Sequence, residues 1–334
     1  MKNVIKILTI VFISIVLVIP AQAALKKVAQ AGLQFLKIDM SARSAGMGSA
    51  FTMMGNDANS MFHNPSGIAY FDSDYDVFLT NTTWIADISY IGGGLLVNFG
   101  NVGTFGLNFM TADYGEIIGT RITSTEAGFE ETGNIGGEVG AYMVGLVYAK
   151  KLSDKFSMGG QVKYVTQNLA QSQLIEDGDL VDNDASGIAF EFGTTFYPGL
   201  AESFRFGISI KNFSQEFQYQ QESFELPLTF NIGFAVDAFD IIGNVDQEMH
   251  SLTIALDAIH PRDYTERIHL GAEYWFMDMV ALRGGYKFNY DEESYSFGVG
   301  VNFNVGGLDL KLDYAYADFG VFDNVNRISF GASF

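Results

Sequence analysis

The sequence predicts an all-β fold, a transmembrane antiparallel β-barrel of about fourteen strands with an N-terminal plug or hatch segment. Three observations predict it: a composition rich in aromatic residues and glycine, segments in which apolar and polar residues alternate, and an amphipathic last strand. The chain contains 30 Phe, 16 Tyr and 37 Gly. Only 17% of its residues are charged, against about 25% in an ordinary soluble domain. The hydrophobicity is spread through short segments, which is typical of a barrel that faces lipid.

Residues 1–23 have the features of a secretory signal peptide. Lys2 and Lys6 give a basic start, residues 7–19 are mostly apolar, and a small-x-small cleavage site ends at Ala23. The apolar stretch is shorter than the ~20 residues that a membrane-spanning helix requires, which disfavours an uncleaved anchor. We therefore expect export and cleavage after Ala23.

Residues 24–75 are predicted to form a periplasmic segment that enters the barrel as a plug. Within it, the first half of 41–71 is slender because it is rich in Gly and Ser, and Asp57 is placed to cap a short helix. The run Asn64-Pro65-Ser66-Gly67 is a turn signature. Small residues and a tight turn suit a segment that packs where room is limited. The residues of this predicted plug motif are Arg43, Gly46, Met47, Gly48, Asn56, Asp57, Asn64, Pro65 and Gly67.

Residues 76–334 carry the pattern of the barrel itself. In 295–303, for example, Tyr, Phe and Val alternate with Ser, Gly and Asn, so one face of the strand is apolar and the other is small and polar. A soluble sandwich would bury the apolar face, whereas a membrane barrel turns it to lipid. The polar faces are mostly Gly, Ser, Thr, Asn and Ala, which favours the barrel. The predicted strands are 76–84, 88–99, 102–114, 139–150, 156–168, 187–197, 204–214, 226–239, 249–259, 265–276, 279–289, 294–304, 307–318 and 325–334; of these, 76–99 and 139–150 alternate least regularly.

The lengths of the connections alternate as they do in outer-membrane barrels, which have short periplasmic turns and longer outer loops. The links after the second, fourth, tenth and twelfth strands are short, whereas 115–138 and 169–186 are long. The link 240–248 is longer than this scheme prefers. The alternation predicts that both ends of the barrel domain lie in the periplasm.

The last strand predicts how the chain reaches its membrane. Phe330 and Phe334 share its apolar face, and a final aromatic residue on such a strand resembles the signal read by the outer-membrane assembly machinery. We therefore expect that machinery and outer-membrane lipid as partners, and the outer membrane of a Gram-negative type of cell as the location. The net charge of −20 argues against nucleic acid as a partner.

The sequence offers little chemistry. It has no Cys, no HExxH zinc motif and no GxSxG nucleophile elbow, so we predict no enzyme activity, no catalytic residue, no metal site and no cofactor. The acidic link 169–186 fails the spacing of an EF-hand calcium loop and is expected to be a solvated loop. Charged residues on the lumen face of the last strands either satisfy one another or steer a substrate. These lumen candidates are Arg267, His269, Glu273, Arg283, Lys287, Asp309, Lys311 and Asp313.

The plug motif also carries a resemblance to a known family. The run Ala42–Phe51, followed by Asn-Asp-Ala at 56–58 and His-Asn-Pro-Ser-Gly at 63–67, resembles the N-terminal signature of the PorV/PorQ outer-membrane proteins. It is similar, more loosely, to FadL-type long-chain fatty acid transporters, in which Ala is usual where this chain has Ser66. The resemblance is sharp over about thirty residues and implies a fourteen-stranded barrel with a hatch.

Two functions follow from that resemblance. The first is a non-enzymatic component or scaffold of type IX protein secretion, with secreted proteins or secretion-system components as partners. The alternative is a FadL-like channel for hydrophobic small molecules such as fatty acids.

Overall fold

The computed structural model describes residues 31–124, 128–173, 178–243 and 245–334. The predicted signal peptide lies outside these residues. The described strands are, in chain order, β1 (Tyr75–Thr83), β2 (Ser89–Asn98), β3 (Thr104–Asp113), β4 (Ile118–Ile122), β5 (Phe129–Asn134), β6 (Val139–Ser153), β7 (Phe156–Ser172), β8 (Val181–Phe196), β9 (Arg205–Ser214), β10 (Phe217–Gln218), β11 (Ser223–Phe224), β12 (Thr229–Asp237), β13 (His250–Pro261), β14 (Arg267–Phe276), β15 (Val280–Phe288), β16 (Tyr295–Val305), β17 (Leu308–Asp318) and β18 (Asn324–Ser333).

Fourteen of these strands form one closed antiparallel barrel. Its order around the wall is β1-β18-β17-β16-β15-β14-β13-β12-β9-β8-β7-β6-β3-β2. Each strand pairs with its neighbours in the chain, and β1 closes the ring by pairing with β18 in the register Leu79↔Phe330. The predicted fold class is confirmed, and each of the fourteen predicted strands corresponds to one strand of the barrel.

The remaining four strands form two small hairpins that the sequence did not predict. The hairpin β4–β5 lies within the predicted link 115–138, and β10–β11 lies between β9 and β12. Residues of β4 and β5 such as Ile118, Ile122 and Phe129 are exposed, as are most of their neighbours. A hairpin that buries neither face needs no alternation of apolar and polar residues, which is why the pattern did not reveal it.

Strands β7 and β8 are longer than predicted. They extend to Ser172 and begin at Val181, so Asp182 and Asp184 of the expected acidic loop are strand residues instead. Glu176 and Asp177 of that loop lie outside the described residues. Most residues of the extension are polar, and backbone pairing alone can continue a hairpin where the strand no longer meets lipid.

Side chains alternate between the lipid face and the lumen face along the strands. On β17, Leu312 and Tyr314 are exposed whereas Asp313 and Ala315 are buried. On β16, Phe297 and Val299 are exposed whereas Gly298 is buried. The apolar residues therefore face outwards, as a barrel in lipid requires.

Short helices occupy the N-terminal region and one turn. The α-helices are α1 (Ala42–Gly46) and α2 (Ala238–Ile242), and 3-10 helices cover Gln34–Lys37, Ala58–Phe62 and Pro65–Tyr70, with shorter ones at Gly100–Val102 and Gly320–Phe322. Helix α2 lies between β12 and β13 and is capped by the Asp237 side chain, which accepts from the Phe239 N–H. This helix accounts for the long link at 240–248. No helix in the described ranges is both long and apolar enough to cross a membrane.

Candidate functional site

Residues 31–71 lie inside the barrel, and we call them the luminal segment. Helix α1 contacts β15, β16, β17 and β18, whereas the 3-10 helix Pro65–Tyr70 contacts β6, β7 and β8. Strands β16 and β7 stand seven places apart in the ring of fourteen, so the two helices touch opposite walls. Met40, Met47 and Met61 of the segment are fully buried. The segment therefore crosses the width of the lumen.

The luminal segment also runs along the height of the barrel. Ala31 forms a β-bridge with Glu225, and Lys37 pairs with Asp263 at 2.9 Å. Glu225 and Asp263 lie in links between β9 and β14, at the end of the barrel that has the longer connections. At its other end, Phe71 leads into β1 beside the short turns. Because the short turns of outer-membrane barrels are periplasmic, the first described residues lie near the outer end.

Inward-facing glycines make room for the segment. A Cβ placed on Gly285 would lie 2.0 Å from the Gly48 nitrogen, and one on Gly193 would lie 1.8 Å from Asn64 Oδ1. Both distances are far shorter than a van der Waals contact. At these positions the segment fits against the wall only because the wall residue has no side chain. We call these wall residues the glycine collar. It consists of Gly92, Gly94, Gly106, Gly159, Gly193, Gly207, Gly233, Gly271, Gly285 and Gly298.

The glycines of the predicted plug motif have the matching role. A Cβ on Gly46 would lie 2.9 Å from the Gly298 Cα, and one on Gly48 would lie 2.8 Å from the Tyr286 nitrogen. Gly48 also has φ +63°, which a side chain disfavours. Gly67 packs against the Gly55 carbonyl inside the segment itself.

The polar residues of the motif shape the segment. The Asp57 side chain accepts from the Asn59 N–H and caps the 3-10 helix that follows it. The Asn64 side chain accepts from the Ser66 N–H at 3.1 Å, and its amide donates to the carbonyls of Thr52 and Thr194. It therefore joins two parts of the segment to β8.

Pro65, Met47 and Asn56 complete the motif. Pro65 begins the 3-10 helix Pro65–Tyr70 and packs against Gly159 of the wall. Met47 is fully buried and its carbonyl meets Gly271. Asn56 is exposed.

A buried ionic network joins the segment to one wall. Arg43 donates to both carboxylate oxygens of Glu273, at 2.8 and 2.6 Å, and lies 3.2 Å from Asp57. Arg283 donates to the same Glu273 at 2.6 Å and to Asp313 at 2.7 Å. Two guanidinium groups thus share one central carboxylate, in bidentate geometry for Arg43. The network brings two residues of the plug motif together with three lumen candidates.

The other lumen candidates lie around this network. His269 contacts the Ser49 carbonyl at 3.2 Å and the Tyr290 hydroxyl at 2.7 Å. Lys311 is 3.9 Å from Asp57, a weak contact of a half-buried side chain. Asp309 lies apart, near the periplasmic end, where it accepts from Asn304 at 2.7 Å.

Lys287 and Arg267 lie nearer the outer end. The Lys287 ammonium donates to Glu293 in the loop before β16. Burial alone would raise the pKa of the Glu293 carboxyl, but the charge and hydrogen bond of Lys287 hold that pKa below its usual value. Arg267 stacks between the rings of Tyr264 and Tyr290, at 4.3 and 3.9 Å from their centroids.

Sequence reasoning missed several anchors of the segment. Asp39 accepts from the hydroxyls of Ser44 and Ser49, each at 2.7 Å, and its carbonyl accepts from Arg327 at 2.9 Å. Asp257 accepts hydrogen bonds from the backbone N–H groups of Phe51 and Thr52 and from the Thr52 hydroxyl. Their signal was present: Asp257 and Arg327 are charges on the lumen face of otherwise apolar strands.

Two cavities flank the luminal segment. The outer cavity, of about 630 Å³, is lined by residues 32–39 and 62–63 of the segment, by inward-facing residues of the wall and by residues of the outer links. The periplasmic cavity is smaller, about 220 Å³, and is lined by Thr52, Met53, Tyr70, Tyr197 and Arg205 among others. Within the described residues, no group of three His, Asp or Glu side chains is arranged to share a metal ion.

Comparisons with known proteins agree with this architecture. The toluene transporter TodX of Pseudomonas putida has a TM-score of 0.57 at 11% identity, covering 87% of this chain and 97% of that one. The toluene transporter TbuX of Ralstonia pickettii has a TM-score of 0.55 at 13% identity, covering 89% and 98%. A FadL homologue of Pseudomonas aeruginosa has a TM-score of 0.53 at 12% identity, covering 88% and 98%. At such identities the likeness shows the fold alone.

A family comparison is more specific. No curated protein sequence matches the chain. The family model of the type IX secretion system protein PorV matches residues 21–259, which is well over half of the chain. The three structural neighbours show the same barrel fold. The chain is therefore an outer-membrane β-barrel that belongs to the PorV family of type IX secretion system proteins.

Proposed function

We propose that the protein serves type IX secretion as a closed barrel, in which the luminal segment seals the lumen while the outer face receives exported proteins. The observation that supports closure is the fit between the segment and the glycine collar, which touches it from nine of the fourteen strands. A fourteen-stranded wall is wider than the eight-stranded barrels that wall side chains can fill. The luminal segment fills the interior space that the side chains of the wall leave empty.

The ionic network supports a segment that stays in place. Withdrawing Arg43 would leave Glu273, which is 2% exposed, with one guanidinium fewer beside Arg283 and Asp313. Removing one partner of a buried charge pair costs about 3–5 kcal/mol. Displacement would also expose the buried methionines of the segment. Opening by movement of the whole segment is therefore costly, which favours a scaffold over a channel.

The alternative is a FadL-like channel for hydrophobic small molecules. One observation favours it: the outer and periplasmic cavities lie on either side of the luminal segment, as two stations of a path would. Such a path requires the segment to move or a gap to open in the wall.

Ion conductance tests closure directly. We expect the full chain to be nearly silent in planar bilayers and a variant without residues 42–63 to conduct. Heat-modifiable migration of both proteins checks that the barrel is folded. A folded deletion variant that stays silent would mean that the outer loops close the lumen.

Complementation separates the two functions. In cells that lack the protein, the wild-type chain should restore export of type IX cargo, measured as cargo at the cell surface. Uptake of labelled palmitate or toluene should stay unchanged. Restored uptake without restored export would favour the channel.

A further inference from the structure

We propose that the outer cavity binds a compact organic anion that carries two or more acidic groups on a ring-shaped body. This inference is independent of the secretion role. The cavity is lined by residues of the luminal segment, of the surrounding wall and of the outer links. Its volume of about 630 Å³ lies within the range of small-molecule sites, roughly 300–1,000 Å³.

The charge of the lining is the first observation. Although the chain has a net charge of −20, the cavity is lined by five cationic side chains and only two carboxylates, Asp39 and Glu293. Two of the cations are paired, Lys37 with the buried Asp263 and Lys287 with Glu293. The remaining three are Lys211, Arg267 and Arg327.

These three cations have hydrogen-bonding capacity left over. An ion pair requires a nitrogen–oxygen distance of at most 4.0 Å. No carboxylate of the described residues lies that close to any of these three cations. Arg327 is 2% exposed; its Nε donates to the Asp39 carbonyl, and its Nη1 has no hydrogen-bond partner in the described chain. The same holds for the Nε of Arg267. Within the ranges that the structure describes, Lys211 donates only to the Phe62 carbonyl, at 2.6 Å.

Buried N–H groups of a guanidinium are costly when left unpaired. An anionic oxygen is the partner that satisfies them best, since charge-assisted hydrogen bonds are about twice as strong as neutral ones. The cavity therefore favours acidic groups over neutral ones.

The positions of the three cations determine how many acidic groups the ligand needs. Arg327 is on β18 and Lys211 on β9, seven places apart in the ring of fourteen, and Arg267 on β14 lies between them. The cations therefore face the cavity from opposite walls. A fatty acid would satisfy one wall with its carboxylate and bury its hydrocarbon tail against the cations of the other. A ligand with acidic groups at both ends meets both walls.

Aromatic side chains suit a ring-shaped body. The rings of Trp84, Tyr90, Tyr114, Tyr219, Tyr264 and Tyr290 line the cavity. Rings of this kind stack on planar ligands, and they hold Arg267 and Arg327 by cation–π contacts.

Tryptophan fluorescence provides the test. The chain has two Trp, so a Trp275→Phe background leaves Trp84, at the cavity, as the single reporter. We expect naphthalene-2,6-disulfonate to change its fluorescence saturably in the purified full-length barrel. Arg267→Gln and Lys211→Gln should each weaken this binding at least about tenfold, the loss expected for a charged hydrogen bond. Arg121→Gln, on the exposed hairpin β4–β5, is the matched control and should bind as the background does.

Three results would overturn the proposal. One is the absence of saturable binding to a barrel that is folded by its heat-modifiable migration. Another is equal affinity for naphthalene-2-sulfonate, which has one acidic group, or tighter binding of palmitate in competition. The third is unchanged affinity in whichever of the two Gln variants folds. Cargo export is not part of the measurement, so failure here leaves the secretion role untouched.

Discussion

The wall at β2 and β3 and the wall at β14, β15 and β17 hold the same segment by different means. At β2 and β3, Met61 packs against Gly94 and Gly106, an apolar contact without direction. At the other wall, Glu273 and its two arginines form hydrogen bonds that exist in one orientation only. The comparison points to a division of roles: the apolar contact holds the segment without a preferred direction, whereas the charges also fix its register.

The largest effect is expected where the charges meet. Glu273→Gln removes the carboxylate shared by Arg43 and Arg283 and should lower the free energy of unfolding by about 4 kcal/mol. Urea unfolding of the protein refolded into lipid vesicles measures it. Glu266→Gln is the control, because Glu266 is exposed and pairs with the exposed His260; it should change the free energy by less than about 0.5 kcal/mol. Equal effects would show that the network does not hold the segment.

The apolar wall should respond almost as strongly. Met61→Ala leaves a cavity beside Gly94 and Gly106 and should cost about 3 kcal/mol in the same assay. Met279→Ala, at a turn where the side chain is 55% exposed, is the matched control and should have little effect. If Met61→Ala were silent, the charged wall alone would position the segment.

The lipid face of β17 allows a comparison across a single strand. Leu312, which is 47% exposed, meets lipid, whereas its neighbour Lys311 points to the lumen side. Leu312→Arg should cost about 2 kcal/mol, the lower end for a charge at the midplane, since a long side chain can reach the interface. Lys311→Ala should be milder because its contact with Asp57 is 3.9 Å long. Comparable losses would contradict the assigned facing.

The smallest loss of stability is expected where the first strand, β1, meets the end of the chain. Phe334 exchanges two backbone hydrogen bonds with Tyr75, at 2.9 and 3.0 Å, and their rings stack at 5.3 Å. Removing Phe334 should cost about 1–2 kcal/mol in vitro. In cells we expect a larger loss, seen as less heat-modifiable folded protein in outer-membrane fractions while export to the periplasm continues. Normal amounts of folded protein would mean that Phe334, and by extension Phe330, is not an assembly signal.

The barrel was predictable because each strand carries its own evidence. Whether a residue faces lipid or lumen is decided by the pleat, so alternation within 295–303 or 308–318 reveals a strand without knowledge of its neighbours. Glycine and turn residues also act locally, so the sequence identified a candidate plug motif, whose role stays a prediction. The exposed hairpin β4–β5 gave no such signal.

The contacts of the candidate site were not predictable. Arg43 and Glu273 are separated by 230 positions, and no spacing in the chain indicates that they meet. The opposite placement of Lys211 and Arg327 appears only once the ring closes. A list of inward-facing charges was within reach of the sequence, whereas their partners depended on the register of strands far apart in the chain.

Closure of the barrel depends on what it contains. The Ser329 hydroxyl of β18 accepts from the Ala42 N–H of the luminal segment and donates to Thr80 of β1, each at 2.9 Å. Asp76 of β1 likewise accepts from the Ala58 N–H at 2.6 Å and from Ser333 of β18 at 2.7 Å. Both of these hydrogen-bonded bridges between β1 and β18 therefore include a residue of the luminal segment. A barrel that closed empty would lack a partner in each of these bridges, so the hydrogen bonding of the joint between β1 and β18 is complete only when the luminal segment occupies the interior.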